Sequence, residues 1–166
     1  VGVVGAGTMG RGIAQVASAA GHNVLLLDRN PVVLEEAHAF LSKIQDRSVS
    51  KGRISRLDAD ALLQRIHGTQ HLSDMSDCGL VIEAIVERTD IKSALFSELE
   101  TVVSEHCILA SNTSSLSVTA LAASLQRPDR FLVLHFFHPA PLLPLVEVVP
   151  ALQSRKGLSD EMLALM

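Results

Sequence analysis

The chain has 166 residues, 48% of them hydrophobic, which is enough for one compact domain with a sizeable core. Its 14 Lys and Arg against 18 Asp and Glu leave a net charge of −4. With neither Trp nor Tyr, that balance argues against a nucleic-acid surface built on phosphate contacts and base stacking. No apolar run reaches membrane-spanning length and no signal peptide is visible, so a membrane partner is not expected, and the expected location is the cytoplasm, or the mitochondrial matrix in a eukaryote.

In chain order, the β-branched run Val1–Val4 leads into Gly5-Ala6-Gly7-Thr8-Met9-Gly10, and Met9–Ala20 follows as a helix with Ile13, Val16 and Ala17 on one face. Strand, glycine turn and helix in that order read as the start of a dinucleotide site. Gly5 permits the tight turn, Gly7 lets the backbone approach a pyrophosphate, and Gly10 lets the helix press on the sheet. The helix N-terminus then offers unpaired N–H groups and the positive end of its dipole to the anion. A second strand, Val24–Leu27, ends at Asp28, where a carboxylate accepts hydrogen bonds from an adenosine ribose and repels a 2′-phosphate. That favours NAD over NADP, although the neighbouring Arg29 keeps NADP from being excluded. The other reading of Asp28 is a cap residue in the turn before Pro31.

Further helices are expected at Pro31–Gln45, Asp58–Arg65, Asp90–Val103 and Val118–Leu125, and strands near Ile66–Gln70, Leu80–Glu83, Ile108–Ser111, Phe131–His135 and Leu145–Val149. This alternation predicts an α/β fold over residues 1–166, a Rossmann-type, doubly wound, mostly parallel sheet. Arg47–Arg56 reads as a basic loop or helix end. Cys78 and Cys107 lack metal-ligand spacing and are expected reduced near the ends of buried strands, and His22, His38, His67, His71 and His106 have no second ligand at metal spacing, so no metal site is expected. The chain starts inside a strand and stops inside a helix that begins near Ser159, and it reads as part of a longer protein.

The chemistry lies in the second half. Ser111-Asn112-Thr113-Ser114-Ser115 and His135-Phe136-Phe137-His138-Pro139 each follow a predicted strand, at the sheet edge where open α/β folds bind ligands. Glu147 interrupts the apolar run Leu145–Val149. A buried carboxylate there would need a partner, such as a histidine on the adjacent strand; alternatively, Glu147 alternates outward on an edge strand.

Gly5–Gly10, Val81-Ile82-Glu83-Ala84-Ile85-Val86-Glu87, Ala110–Leu116, His135–Pro139 and Val146-Glu147-Val148 together resemble the 3-hydroxyacyl-CoA dehydrogenase family, in order and across essentially the whole chain. The resemblance is to that family's N-terminal domain, and it implies a helical second domain beyond Met166 through which the full-length protein forms a homodimer. It also implies NAD as cofactor and an acyl-CoA as substrate. His135 matches the catalytic base, Glu147 the carboxylate that orients it, and Ser114 the serine that hydrogen-bonds the substrate's 3-oxygen. The implied cofactor-binding set is Gly5, Gly7, Thr8, Met9, Gly10, Asp28, Arg29, Ala84, Glu87, Lys92, Asn112, Ser114 and His138. Lys92 could otherwise be a solvated residue in the first turn of its helix. Arg47, Lys51 and Arg53, with Arg56, resemble in location the segment that receives the adenosine part of CoA, or else form a solvated charged loop. The chain departs from the family at His138, usually asparagine, and at Pro144, usually lysine, and a further substrate-contacting asparagine belongs to the second domain.

The expected reaction is NAD-dependent oxidation of an L-3-hydroxyacyl-CoA to the 3-oxoacyl-CoA, in fatty-acid or aromatic-acid breakdown. Two alternatives stand beside it, a dehydrogenase of free hydroxy acids or sugar acids and a non-catalytic NAD-binding protein of the same fold.

Overall fold

The structure, a computed structural model, describes residues 1–166. Its elements run β1 (Gly2–Val4), α1 (Thr8–Ala19), β2 (Val24–Leu27), α2 (Pro31–Ser50), α3 (Arg56–Gln64), β3 (Ile66–Thr69), β4 (Leu80–Glu83), α4 (Thr89–Val102), β5 (Ile108–Ser111), α5 (Val118–Ala122), β6 (Phe131–Phe136), β7 (Val146–Pro150) and α6 (Leu158–Leu165). They build one seven-stranded sheet in the order β3-β2-β1-β4-β5-β6-β7, parallel except for β7, which runs antiparallel to β6. That is the Rossmann-type arrangement expected. The chain leaves β1 for β2 on one side and later enters β4 on the other, so a crevice opens at the carboxyl ends of β1 and β4.

Successive strand residues face opposite layers, because side chains alternate with period two. Val3, Leu26, Ile82, Leu132 and Leu134 join Ile13 and Ala14 of α1, Leu34 and Leu41 of α2, Leu62 of α3 and Met162 of α6 in one core. Val4, Leu27, Val81 and Phe131 turn to the other face, onto Phe96 and Leu99 of α4 and Leu121 of α5. Phe96 and Phe131 meet edge to face with ring centroids 4.9 Å apart. Cys78 and Cys107 are free and buried just before β4 and β5, and burial pushes the Cys107 thiol up to about 11 and the Cys78 thiol up as well. No helix is long and apolar enough to cross a membrane.

The second helix runs five residues past the expected end at Gln45. Ser48 and Ser50 donate their hydroxyls back to the carbonyls of Ile44 and Arg47, so their side chains bond within the helix instead of drawing the backbone into a turn. It stops where Gly52 takes a positive φ of 65°. Arg47 is therefore helical, Lys51 caps the helix and only Arg53 sits in the turn, while Arg56 opens α3 and pairs with Asp46 (2.8 Å) and Asp60 (3.5 Å). The fifth helix ends at Ala122, three residues before Leu125, and short 3₁₀ turns at Leu72–Asp77 and Pro128–Arg130 precede β4 and β6.

Candidate active site

Gly5 turns the chain out of β1 with φ +99°, and a Cβ there would stand 2.8 Å from the Ala84 carbonyl oxygen at the end of β4. A Cβ on Gly10 would stand 1.7 Å from the Gly5 carbonyl oxygen, so only glycine lets α1 lie this close to the turn. Gly7 differs from both. No atom comes within 4 Å of where its Cβ would be, and as N-cap of α1 it provides no side-chain cap to the helix. An anion laid against Gly7 thus meets open space, free backbone and the positive end of α1, which fits a pyrophosphate.

Asp28 reaches back to this turn. Its Oδ2 accepts the Ala6 N–H and its Oδ1 the Asn30 N–H, each at 3.0 Å, which fixes the carboxylate between the β1–α1 and β2–α2 turns. Asn30, not Asp28, caps α2, accepting the Val32 N–H at 3.1 Å. Beside Asp28 lies a cleft of about 1040 Å³ lined by Gly5, Gly7, Leu27, Asp28, Arg29, Val33 and Ala84 among others. A second cavity of about 330 Å³ continues from Ala84 and Ile85 to Met9, Glu87, Lys92, Asn112, Ser114, His135 and His138. Thr8 is exposed in the first turn of α1.

His135 and Glu147 are direct partners across β6 and β7, and His135 Nδ1 lies 2.8 Å from Glu147 Oε2. The imidazole is 18% exposed and the carboxylate 54%. Glu147 therefore alternates outward on the edge strand and, though not buried, is also the histidine's partner. A carboxylate at Nδ1 places the proton there and leaves the Nε2 lone pair free. The Phe137 ring packs on the imidazole with centroids 4.5 Å apart and holds its plane.

Lys92 is not solvated. Its side chain is 1% exposed, with Nζ 2.5 Å from Glu83 Oε1 and 3.2 Å from Glu87 Oε2. Glu83, which sequence reasoning did not single out as a site residue, is the hub: it is fully buried at the end of β4 and also accepts the Ser111 hydroxyl (2.6 Å) and the Ile85 N–H (2.7 Å). Glu87 carries the network into the loop after β5, accepting from the Thr113 hydroxyl, the Ser114 N–H (3.3 Å) and the Ser115 hydroxyl (3.1 Å). Burial pushes the Glu87 carboxyl up, but the bonds from Thr113, Lys92 and Ser115 outweigh it and hold the group below the usual glutamate range. Asn112 accepts the Phe136 N–H at 2.8 Å, tying the Ser114 loop to the strand that bears His135. The sequence motifs contain Thr113 and Phe137 without giving either a role: the partner of Thr113, Glu87, lies 26 residues away, and nothing in the spacing of Phe137 shows that its ring packs on His135. Arg47, Lys51 and Arg53 are exposed on the α2–α3 hairpin and line neither cavity.

Comparison with known proteins accords with this geometry. The chain is 45% identical over 161 residues to the probable 3-hydroxybutyryl-CoA dehydrogenase of Deinococcus radiodurans, across 96% of this chain and 56% of that protein. It is 44% identical over 153 residues to the 3-hydroxybutyryl-CoA dehydrogenase of Mycobacterium tuberculosis, across 92% of this chain and 54% of that one. Among solved structures, a 3-hydroxybutyryl-CoA dehydrogenase from Escherichia coli superposes with a TM-score of 0.97 at 38% identity, over 99% of this chain and 35% of that chain. The chain thus spans about half the length of the first two relatives. The model of the 3-hydroxyacyl-CoA dehydrogenase NAD-binding domain matches residues 1–166 from end to end, and the chain belongs to that family.

Proposed function

We propose that the protein carrying this chain oxidises an L-3-hydroxyacyl-CoA to the 3-oxoacyl-CoA, and that this chain holds the NAD and the base. The observation that carries the reading is the His135–Glu147 pair, 2.8 Å apart, with His135 lining the cavity that Met9 of the glycine turn also lines. NAD, when bound, supplies the hydride acceptor. Gly7, the α1 N-terminus and Asp28 would hold its pyrophosphate and adenosine ribose, and Glu87 and Lys92 its other end.

His135 Nε2 takes the proton of the substrate's 3-hydroxyl, Glu147 stabilises the resulting imidazolium, and the Ser114 hydroxyl hydrogen-bonds the 3-oxygen. In reverse, the imidazolium returns its proton to the ketone oxygen. The relatives' names support a short acyl chain carried on CoA. The anionic groups of CoA need cations outside the cavity that takes the acyl end, and exposed Arg47, Lys51 and Arg53 offer them. A role in fatty-acid or aromatic-acid breakdown follows from such a substrate.

The test is acetoacetyl-CoA-dependent oxidation of NADH by the full-length protein, followed at the nicotinamide absorbance band. Turnover is the expected result. A protein that binds NADH and gives none would defeat the short-chain assignment and direct the search to dicarboxylyl-CoA and free hydroxy-acid substrates.

A further inference from the structure

The rim of the larger cleft holds an ion pair that the reaction above does not use. Arg29, the residue after Asp28, reaches from the end of β2 across to Glu98 on α4, with Nη2 3.3 Å from Oε2. The two side chains are 81% and 53% exposed, so burial does not force them together. Among the residues that line the cleft, Arg29 has the one fixed positive charge, against the carboxylates of Asp28, Asp90 and Glu98. Asp28 is held by two backbone N–H groups, and Asp90 is engaged twice by Arg88. Arg29 is thus the group on this wall able to meet an additional phosphate, and Glu98 occupies it.

We infer that Glu98 is a specificity-determining residue that works against dinucleotides bearing a 2′-phosphate on the adenosine ribose, by engaging Arg29. The inference rests on reading the cleft as a dinucleotide site with Asp28 at the ribose. Asp28 alone disfavours a 2′-phosphate by like charge, but an unengaged arginine one residue away would offset that, because guanidinium pairs with phosphate through two parallel hydrogen bonds. With Glu98 on the guanidinium, reaching the phosphate breaks an ion pair and leaves a carboxylate beside a dianion. Exposed ion pairs are weak, so the effect is a bias of several-fold.

The experiment measures NAD⁺ and NADP⁺ affinities by calorimetry on the full-length protein at low salt, for the wild type, Glu98→Gln, Arg29→Gln and the double variant. Glu98→Gln should raise the ratio of NADP⁺ to NAD⁺ affinity about fivefold. The gain should shrink as salt screens Arg29 from the phosphate, and it should vanish in the double variant. An unchanged ratio in Glu98→Gln, with NAD⁺ still bound, overturns the inference alone, as does a gain that persists without Arg29. A wild-type protein that binds neither dinucleotide overturns both the inference and the cofactor reading beneath it.

Discussion

His135 has one orienting partner and one ring packed against it, so its chemistry is separable from the fold. His135→Gln should lower kcat for acetoacetyl-CoA reduction by about 10²- to 10⁴-fold while NADH still binds, as fluorescence titration would show. Glu83 behaves in the opposite way. Removing its charge leaves the Lys92 ammonium buried with only Glu87 beside it, so Glu83→Gln should destabilise the protein by about 3 kcal/mol in urea unfolding, and adding Lys92→Met should recover much of that loss. Glu87 gives a pH signature. Its pKa is lowered on folding, so its contribution to stability is present above the ordinary glutamate value and is lost as pH falls through the folded value. Wild type and Glu87→Gln should therefore differ in stability at pH 7 and converge in acid, measured by denaturant midpoints across pH.

At the scale of elements, two glycines of one turn should respond differently to a methyl group. Gly10→Ala forces a Cβ onto the Gly5 carbonyl and should cost about 2 kcal/mol or more, since the helix must move off the turn. Gly7→Ala meets nothing in the fold and should cost less than about 1 kcal/mol, yet weaken NADH binding tenfold or more, because the added methyl points where the pyrophosphate would lie. Denaturation and binding measured on both variants separate the two effects. This β1–α1–β2 segment was legible in the sequence because each signal is local: the glycine spacing, the apolar runs and the position of Asp28. The end of α2 was less so, since Ser48 and Ser50 are ordinary turn residues until their hydroxyls find the helix's own carbonyls. Glu83 stands inside the Val81–Glu87 motif, but its meaning comes from burial and from Ser111, 28 residues away. Asn112 likewise depends on Phe136, 24 residues on, and no spacing rule reveals either contact.

Over the whole molecule, the sheet order grades protection. β1, β4 and β5 are paired on both sides and buried throughout, whereas β3 and β7 are edge strands paired on one side. Amide hydrogen exchange should be slowest in the central strands and clearly faster in β7, and equal protection across the sheet would contradict that gradient. The His135–Glu147 pair straddles this boundary: His135 belongs to β6, paired on both sides, and Glu147 to the edge. Fraying of the edge would strip the imidazole of its carboxylate while the dinucleotide crevice still stood. Warmed gently or held in mild urea, the protein would then pass through a form that takes up NADH but no longer turns over, losing its chemistry before its grip on the cofactor.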